Sequence, residues 1–126
     1  MKKRQRLPDV NATQAMRLKA AGFNWPTTTY YERGKKWGGP GFENHNSNCV
    51  SSVASHCSAP TVALALRWAR NVMGMRAGVF WSLWEWVINI DGGEMPGGYS
   101  TYELAESALL DAVLCELEKR KKAGRI

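Results

Sequence analysis

Between Met75 and Ile90 the apolar residues fall on alternate positions twice over: Met75, Ala77, Val79 and Trp81, then Trp84, Trp86, Ile88 and Ile90. A repeat of two places each run on one side of a pleated strand, so both read as strands with one apolar face. Only Ser82 to Glu85 joins them, which leaves room for a tight turn and an antiparallel hairpin. An isolated hairpin is marginal in water, so the flanking segments must cover its apolar face.

Both flanks read as helices. Upstream, Val62, Ala65, Leu66, Ala69, Val72 and Met73 form one stripe at helical spacing, with Arg67, Arg70 and Asn71 outside it. Ser58-Ala-Pro60 suits the start of that helix, because proline near a first turn forfeits no hydrogen bond, and Gly74 ends it. Downstream, Asp91–Gly98 breaks the alternation, and a last helix begins at Ser100 or Thr101, where Ser100-Thr-Tyr-Glu103 supplies a capping box. On that helix Ala105, Ala108, Leu109 and Ala112 make a narrow face suited to a sheet. Leu110, Val113 and Leu117 widen the apolar arc beyond one such contact. This excess makes Leu110, Val113 and Leu117 the expected partner-binding residues, with a homodimer or another protein as the occupant.

The first half contributes a short helix near Ala12–Ala21, opened by a capping box at Asn11 and Gln14 and closed at Gly22. The β-branched and aromatic run Thr27–Tyr31 reads as a strand. From Gly34 to Cys57 no period is legible, and half of these residues are Gly, Asn, Ser or Pro, so 34–57 reads as a long loop with short extended pieces near Val50 and Val53. The expected fold is therefore α+β: helix–strand–loop–helix–β-hairpin–helix, with helices packed on a small, mainly antiparallel sheet. At 126 residues the chain, 1–126, is one domain, large enough to hold together without metal or disulfide.

Charge is unevenly placed. Lys2, Lys3, Arg4 and Arg6 precede position 7, and Lys119, Arg120, Lys121, Lys122 and Arg125 close the chain, so 1–10 and 119–126 read as basic tails. Positions 7–118 hold eight basic and eleven acidic residues, a net of −3, although the whole chain carries +6. Weak, non-specific attraction to nucleic acid through the ends is the expected consequence. No apolar run reaches the ~18 residues of a membrane span. The charged opening Met1–Arg6 leads into Leu7-Pro8-Asp9 and not into an apolar core, so neither a secretory signal nor a membrane association is expected. Three cysteines do not suggest a disulfide framework, and the cytoplasm is the expected location.

Candidate chemistry is sparse. His45, Cys49, His56 and Cys57 have the composition of a zinc site or a Cys–His pair, but lack Cys-x-x-Cys or His-x-x-x-His spacing, and His56 adjoins Cys57. Adjacent ligands rarely converge on one ion, so neither metal nor cofactor is expected. Gly34–Gly41 has lysines among glycines without the ordered phosphate-loop motif. Of six tryptophans, Trp68, Trp81 and Trp86 fall in patterned elements and are expected in the core, while Trp84 lies beside the turn. Trp37, following Lys35 and Lys36, is the candidate base-stacking platform.

Several segments carry a resemblance. Ser58-Ala-Pro-Thr-Val-Ala-Leu-Ala-Leu-Arg-Trp68, the hairpin ending in Trp86-Val-Ile-Asn-Ile90, and Thr101-Tyr-Glu103 before an alanine-rich helix are one part of it. Leu18-Lys-Ala-Ala-Gly-Phe23, Trp25-Pro26 and Tyr30-Tyr31 are the other. Together, over about 15–31 and 57–117, they resemble small uncharacterised proteins of bacteriophages and of mobile or prophage-like regions of gut bacteria. The short hairpin turn and glycine-rich loop depart from that pattern. A looser analogy runs to HicB-type antitoxins, where a small sheet precedes a Thr-led helix rich in Glu and Ala. The resemblance implies a fold and a genomic setting and carries no catalytic residues. The expected function is thus a non-enzymatic phage or mobile-element accessory protein that binds a macromolecule, with an unidentified protein as partner. The alternative is a nucleic-acid-binding module using the basic ends and Lys35–Trp37.

Overall fold

The computed structural model describes residues 7–38, 48 and 56–124. Within them the chain is α+β, in the order α1 (Ala12–Ala21), β1 (Thr29–Glu32), β2 (Lys35–Gly38), β3 (His56–Ser58), α2 (Val62–Asn71), β4 (Ala77–Ser82), β5 (Glu85–Ile90), β6 (Gly93–Glu94) and α3 (Tyr102–Lys122). Local chemistry accounts for the helix ends. The Asn11 side chain accepts from the Gln14 N–H at 2.8 Å while the Gln14 side chain accepts from the Asn11 N–H at 3.0 Å. Gly22 closes α1 at φ 99°, a left-handed conformation that glycine adopts without steric cost. The other two helices begin at threonines: Thr61 Oγ1 accepts from Leu64 N–H, and Thr101 Oγ1 accepts from Leu104 N–H. The expected start at Ser58 thus moves inward to Thr61, while of the two expected starts of the last helix, Ser100 and Thr101, the chain uses Thr101. Ser58 is committed to β3, and Ser100 stands one residue before the cap.

The expected single sheet is two antiparallel sheets, ordered β2-β1-β3 and β4-β5-β6. The first corrects the expected 34–57 loop at both ends, because β2 and β3 lie inside that span and pair with β1 on either side. Arg33-Gly34, both left-handed at φ 52° and 79°, turns the chain so that Tyr30 faces Trp37. β3 then pairs with the other side of β1, setting Tyr31 opposite Cys57. In the second sheet Ala77 lies opposite Ile90, Val79 opposite Ile88, and Trp81 opposite Trp86. The expected extended pieces near Val50 and Val53 lie outside the described residues.

α3 is the centre of the molecule. It packs on β4 and β5 and also on α1 and α2. Leu110, Val113 and Leu117 are consequently buried within this chain, at 0%, 1% and 0% exposure. This corrects the expectation that they form a partner surface: the wide arc exists because the helix meets α1 and α2 as well as a sheet. Gln14, itself buried, sends its amide Nε2 to Asp111 at 3.0 Å, and Arg17 pairs with Glu118 at 2.8 Å, seating α1 on α3. Trp68 is buried against the edge of Phe23, with ring centroids 5.4 Å apart. Its Nε1 has no hydrogen-bond partner among the described residues. Val72, expected on the buried stripe, is exposed at the C-terminal cap of α2.

Candidate functional site

Two-residue hairpin loops need left-handed backbone at the turn, and Asn-Gly or Gly-containing pairs provide it most cheaply. Arg33-Gly34 follows this preference. Leu83-Trp84 does not: both residues are left-handed, at φ 49° and 67°, and neither is glycine or asparagine. Such backbone costs a residue with a Cβ about 1–2 kcal/mol. Burial does not repay it, because Leu83 is 90% exposed and Trp84 89%. The apex of the β4–β5 hairpin therefore displays two large apolar side chains at a cost in stability.

Below the apex an aromatic ladder links the hairpin to α3. The Trp81 and Trp86 rings meet edge-to-face at 5.0 Å, and Trp86 meets Tyr102 in the same manner at 5.2 Å. Trp86 is half-buried and packs on the core, while Trp81 is exposed. The latter corrects the expectation of a core Trp81. Its position alternates correctly with Val79 and Ala77, but it lies at the far end of β4, where cover from the helices runs out. On the opposite face of β4 the Phe80 ring lies over Gly78, where a Cβ would stand 3.1 Å from it, and Phe80 is itself 55% exposed.

The ladder ends beside the titratable groups of α3. The Tyr102 hydroxyl donates to Glu106. Burial raises the Glu106 carboxyl above its ordinary value, opposed by that hydrogen bond and by Arg70 and reinforced by Glu103. Burial likewise raises Tyr102, with Glu106 adding to the effect. Arg70 donates from Nη1 to the Ala77 carbonyl at 3.1 Å, fastening the start of β4 to the end of α2.

The structure disperses the other candidates. His56 and Cys57 are successive on β3 and so project to opposite faces. The His56 ring stands 3.3 Å from the Glu32 carboxylate, whereas Cys57 is fully buried and its thiol raised by that burial. They do not converge, and His45 and Cys49 lie outside the described residues. Lys35 stacks on the Trp37 ring at 4.7 Å and Lys36 pairs with Asp9 at 2.7 Å, so the expected stacking platform has both its cations engaged within the chain. In the terminal basic run, Arg120 pairs with Asp91 and Glu116, and Lys121 donates to the Ala20 carbonyl. Lys119 and Lys122 border an open surface groove with Cys115 and Glu118. Lys2, Lys3, Arg4, Arg6 and Arg125 lie outside the described residues.

Leu83 is the residue that sequence reasoning passed over. Its signal was present: an apolar pair occupied the two positions of a hairpin turn where small, polar residues belong. No protein-family model, curated protein or solved structure matches this chain.

Proposed function

We propose that the protein is a non-enzymatic accessory protein that binds another protein through the apex of its β4–β5 hairpin. One observation carries this reading: Leu83 and Trp84 occupy strained, left-handed positions and are nearly fully exposed. Strain without a packing return is characteristic of residues retained for function. Tryptophan and leucine raised on a narrow hairpin suit insertion into an apolar cleft, with Tyr102 widening the contact at its base. The phage or mobile-element origin in this proposal rests on the resemblance in Ser58–Trp68, Trp86–Ile90 and Thr101–Glu103. A cytoplasmic site of action is supported by Cys57 and Cys115, both present as thiols. Among the described residues no helix is long and apolar enough to cross a membrane.

The test replaces Leu83-Trp84 with Asn-Gly, which suits the turn and removes both side chains. Host lysate is passed over immobilised wild-type and variant protein, with and without nuclease and at two salt concentrations. The expected result is a bound protein that survives nuclease and salt and is lost with the variant. Retention of the same partner by the variant would refute the apex as the contact, and retention abolished by nuclease would favour nucleic acid.

A further inference from the structure

The two sheets have four edges among the described residues, and three of them are blunted. β2 carries Lys35 and Lys36, and charged edge residues oppose strand addition. β3 has its Ser58 N–H bonded to the Asn48 side chain at 2.9 Å. β6 is two residues long. The fourth edge, β4, runs for six residues, Ala-Gly-Val-Phe-Trp-Ser, with no charge and no proline.

The hydrogen-bond parity shows which groups of β4 face outward. Trp86 exchanges both main-chain bonds with Tyr99, at 3.0 and 2.9 Å, and the Ile88 carbonyl accepts from Met95. Residues 86 and 88 thus bond away from β4, leaving 85, 87 and 89 to bond toward it. Their partners are Ser82, Phe80 and Gly78. Main-chain groups of Ala77, Val79 and Trp81 therefore point to the open side. Arg70 takes the Ala77 carbonyl, and no described strand meets Val79 or Trp81.

We infer that β4 pairs with β4 of a second copy of this chain, antiparallel about a two-fold axis at Phe80. This register is self-complementary. Val79 and Trp81 of each copy exchange main-chain hydrogen bonds with Trp81 and Val79 of the other, so all four donors are matched by four acceptors. Phe80 then faces Phe80 of the second copy across the close, non-hydrogen-bonded pair, and Trp81 covers Val79 of the other chain on the opposite face. The absence of charge along β4 leaves no like-charge repulsion in a symmetric pair. Each half-exposed ring gains cover, and two three-stranded sheets become one of six strands. The two apices point in opposite directions, and this inference does not depend on what they bind.

The test uses Phe80→Lys and Phe80→Glu, on a face where an exposed side chain is tolerated. Sedimentation velocity across a concentration series is expected to show wild-type protein at twice the 14.1 kDa chain mass. Each variant alone should sediment at the chain mass, with association weakened roughly tenfold or more by like charges in direct opposition. An equimolar mixture of the two should recover the dimer, since lysine then faces glutamate. Far-UV circular dichroism and thermal melts establish that the variants fold. Wild-type protein that stays monomeric would overturn the proposal, as would folded variants that dimerise unaided or fail to recover on mixing. The Leu83→Asn/Trp84→Gly protein should dimerise normally, which separates this inference from the apex reading.

Discussion

Replacing Leu83-Trp84 with Asn-Gly should make the protein more stable. Both native residues hold left-handed backbone, at φ 49° and 67°, and such backbone costs a residue with a Cβ about 1–2 kcal/mol. Glycine at 84 removes that cost but returns about 0.5–1 kcal/mol through the freedom it adds to the unfolded chain. Asparagine at 83 tolerates the conformation and recovers a further part. With the lost side chains 90% and 89% exposed, little burial is forfeited. The net expectation is a gain of about 1–2 kcal/mol. An unfolding entropy of about 2.1 cal/mol/K per residue over 126 residues converts each kcal/mol to about 4 °C, so the midpoint should rise by about 4–8 °C. Calorimetry and urea titration of both proteins measure this directly. In the other hairpin Gly34→Ala is the converse control and should lose about 0.5–1 kcal/mol, the left-handed cost at φ 79° less the entropy that glycine adds to the unfolded chain. An unchanged or lowered midpoint for the Asn-Gly protein would refute the argument, because the apolar apex would then be contributing to the fold.

Leu110→Ala should cost about 2–5 kcal/mol, as for other buried leucines, and leave the association state of the folded protein unchanged; denaturant midpoints and sedimentation check both. Two carboxylates should give opposite pH effects. Glu106 is raised by burial, so its favourable contribution is complete below its ordinary 4.5 and is lost as pH climbs through the raised folded value. Glu106→Gln should accordingly stabilise the protein at pH 7 more than at pH 4 in thermal melts. Glu118 is lowered by its hydrogen bond to Arg17, so its contribution is present above its ordinary 4.5 and lost as pH falls through the lowered value. Glu118→Gln should thus destabilise at neutral pH and have no effect once acid has protonated the wild type. Any oligonucleotide affinity should be roughly micromolar at best in physiological salt and fall steeply with added salt. Neutralising Lys2, Lys3, Arg4, Arg6, Lys119 and Lys122 should remove it in fluorescence anisotropy, and persistence would place a shaped site on the body.

What the sequence determined by itself was local. The Asn11–Gln14 box and Gly22 bound α1 because a cap and its partner lie within a single turn. The period-two pattern across 75–90 defined β4, β5 and the turn at 83–84, because side-chain alternation is a property of one strand. The α+β class followed from those elements. What only the tertiary structure decided was which faces are covered, and by what. Leu110, Val113 and Leu117 read as surplus because α1, nearly a hundred positions earlier in the chain, leaves no mark on the sequence of α3. Trp81 read as core because periodicity assigns a face to a residue but not the point along the strand where its cover ends. Arg33-Gly34 carried a turn signal, yet β2 is wholly exposed and has no apolar alternation, so its pairing depends on β1, which β3 holds from the other side. The edge position of β4 likewise has no sequence signature: main-chain donors and acceptors are the same at every residue, and only the arrangement of strands leaves some without a strand partner among the described residues.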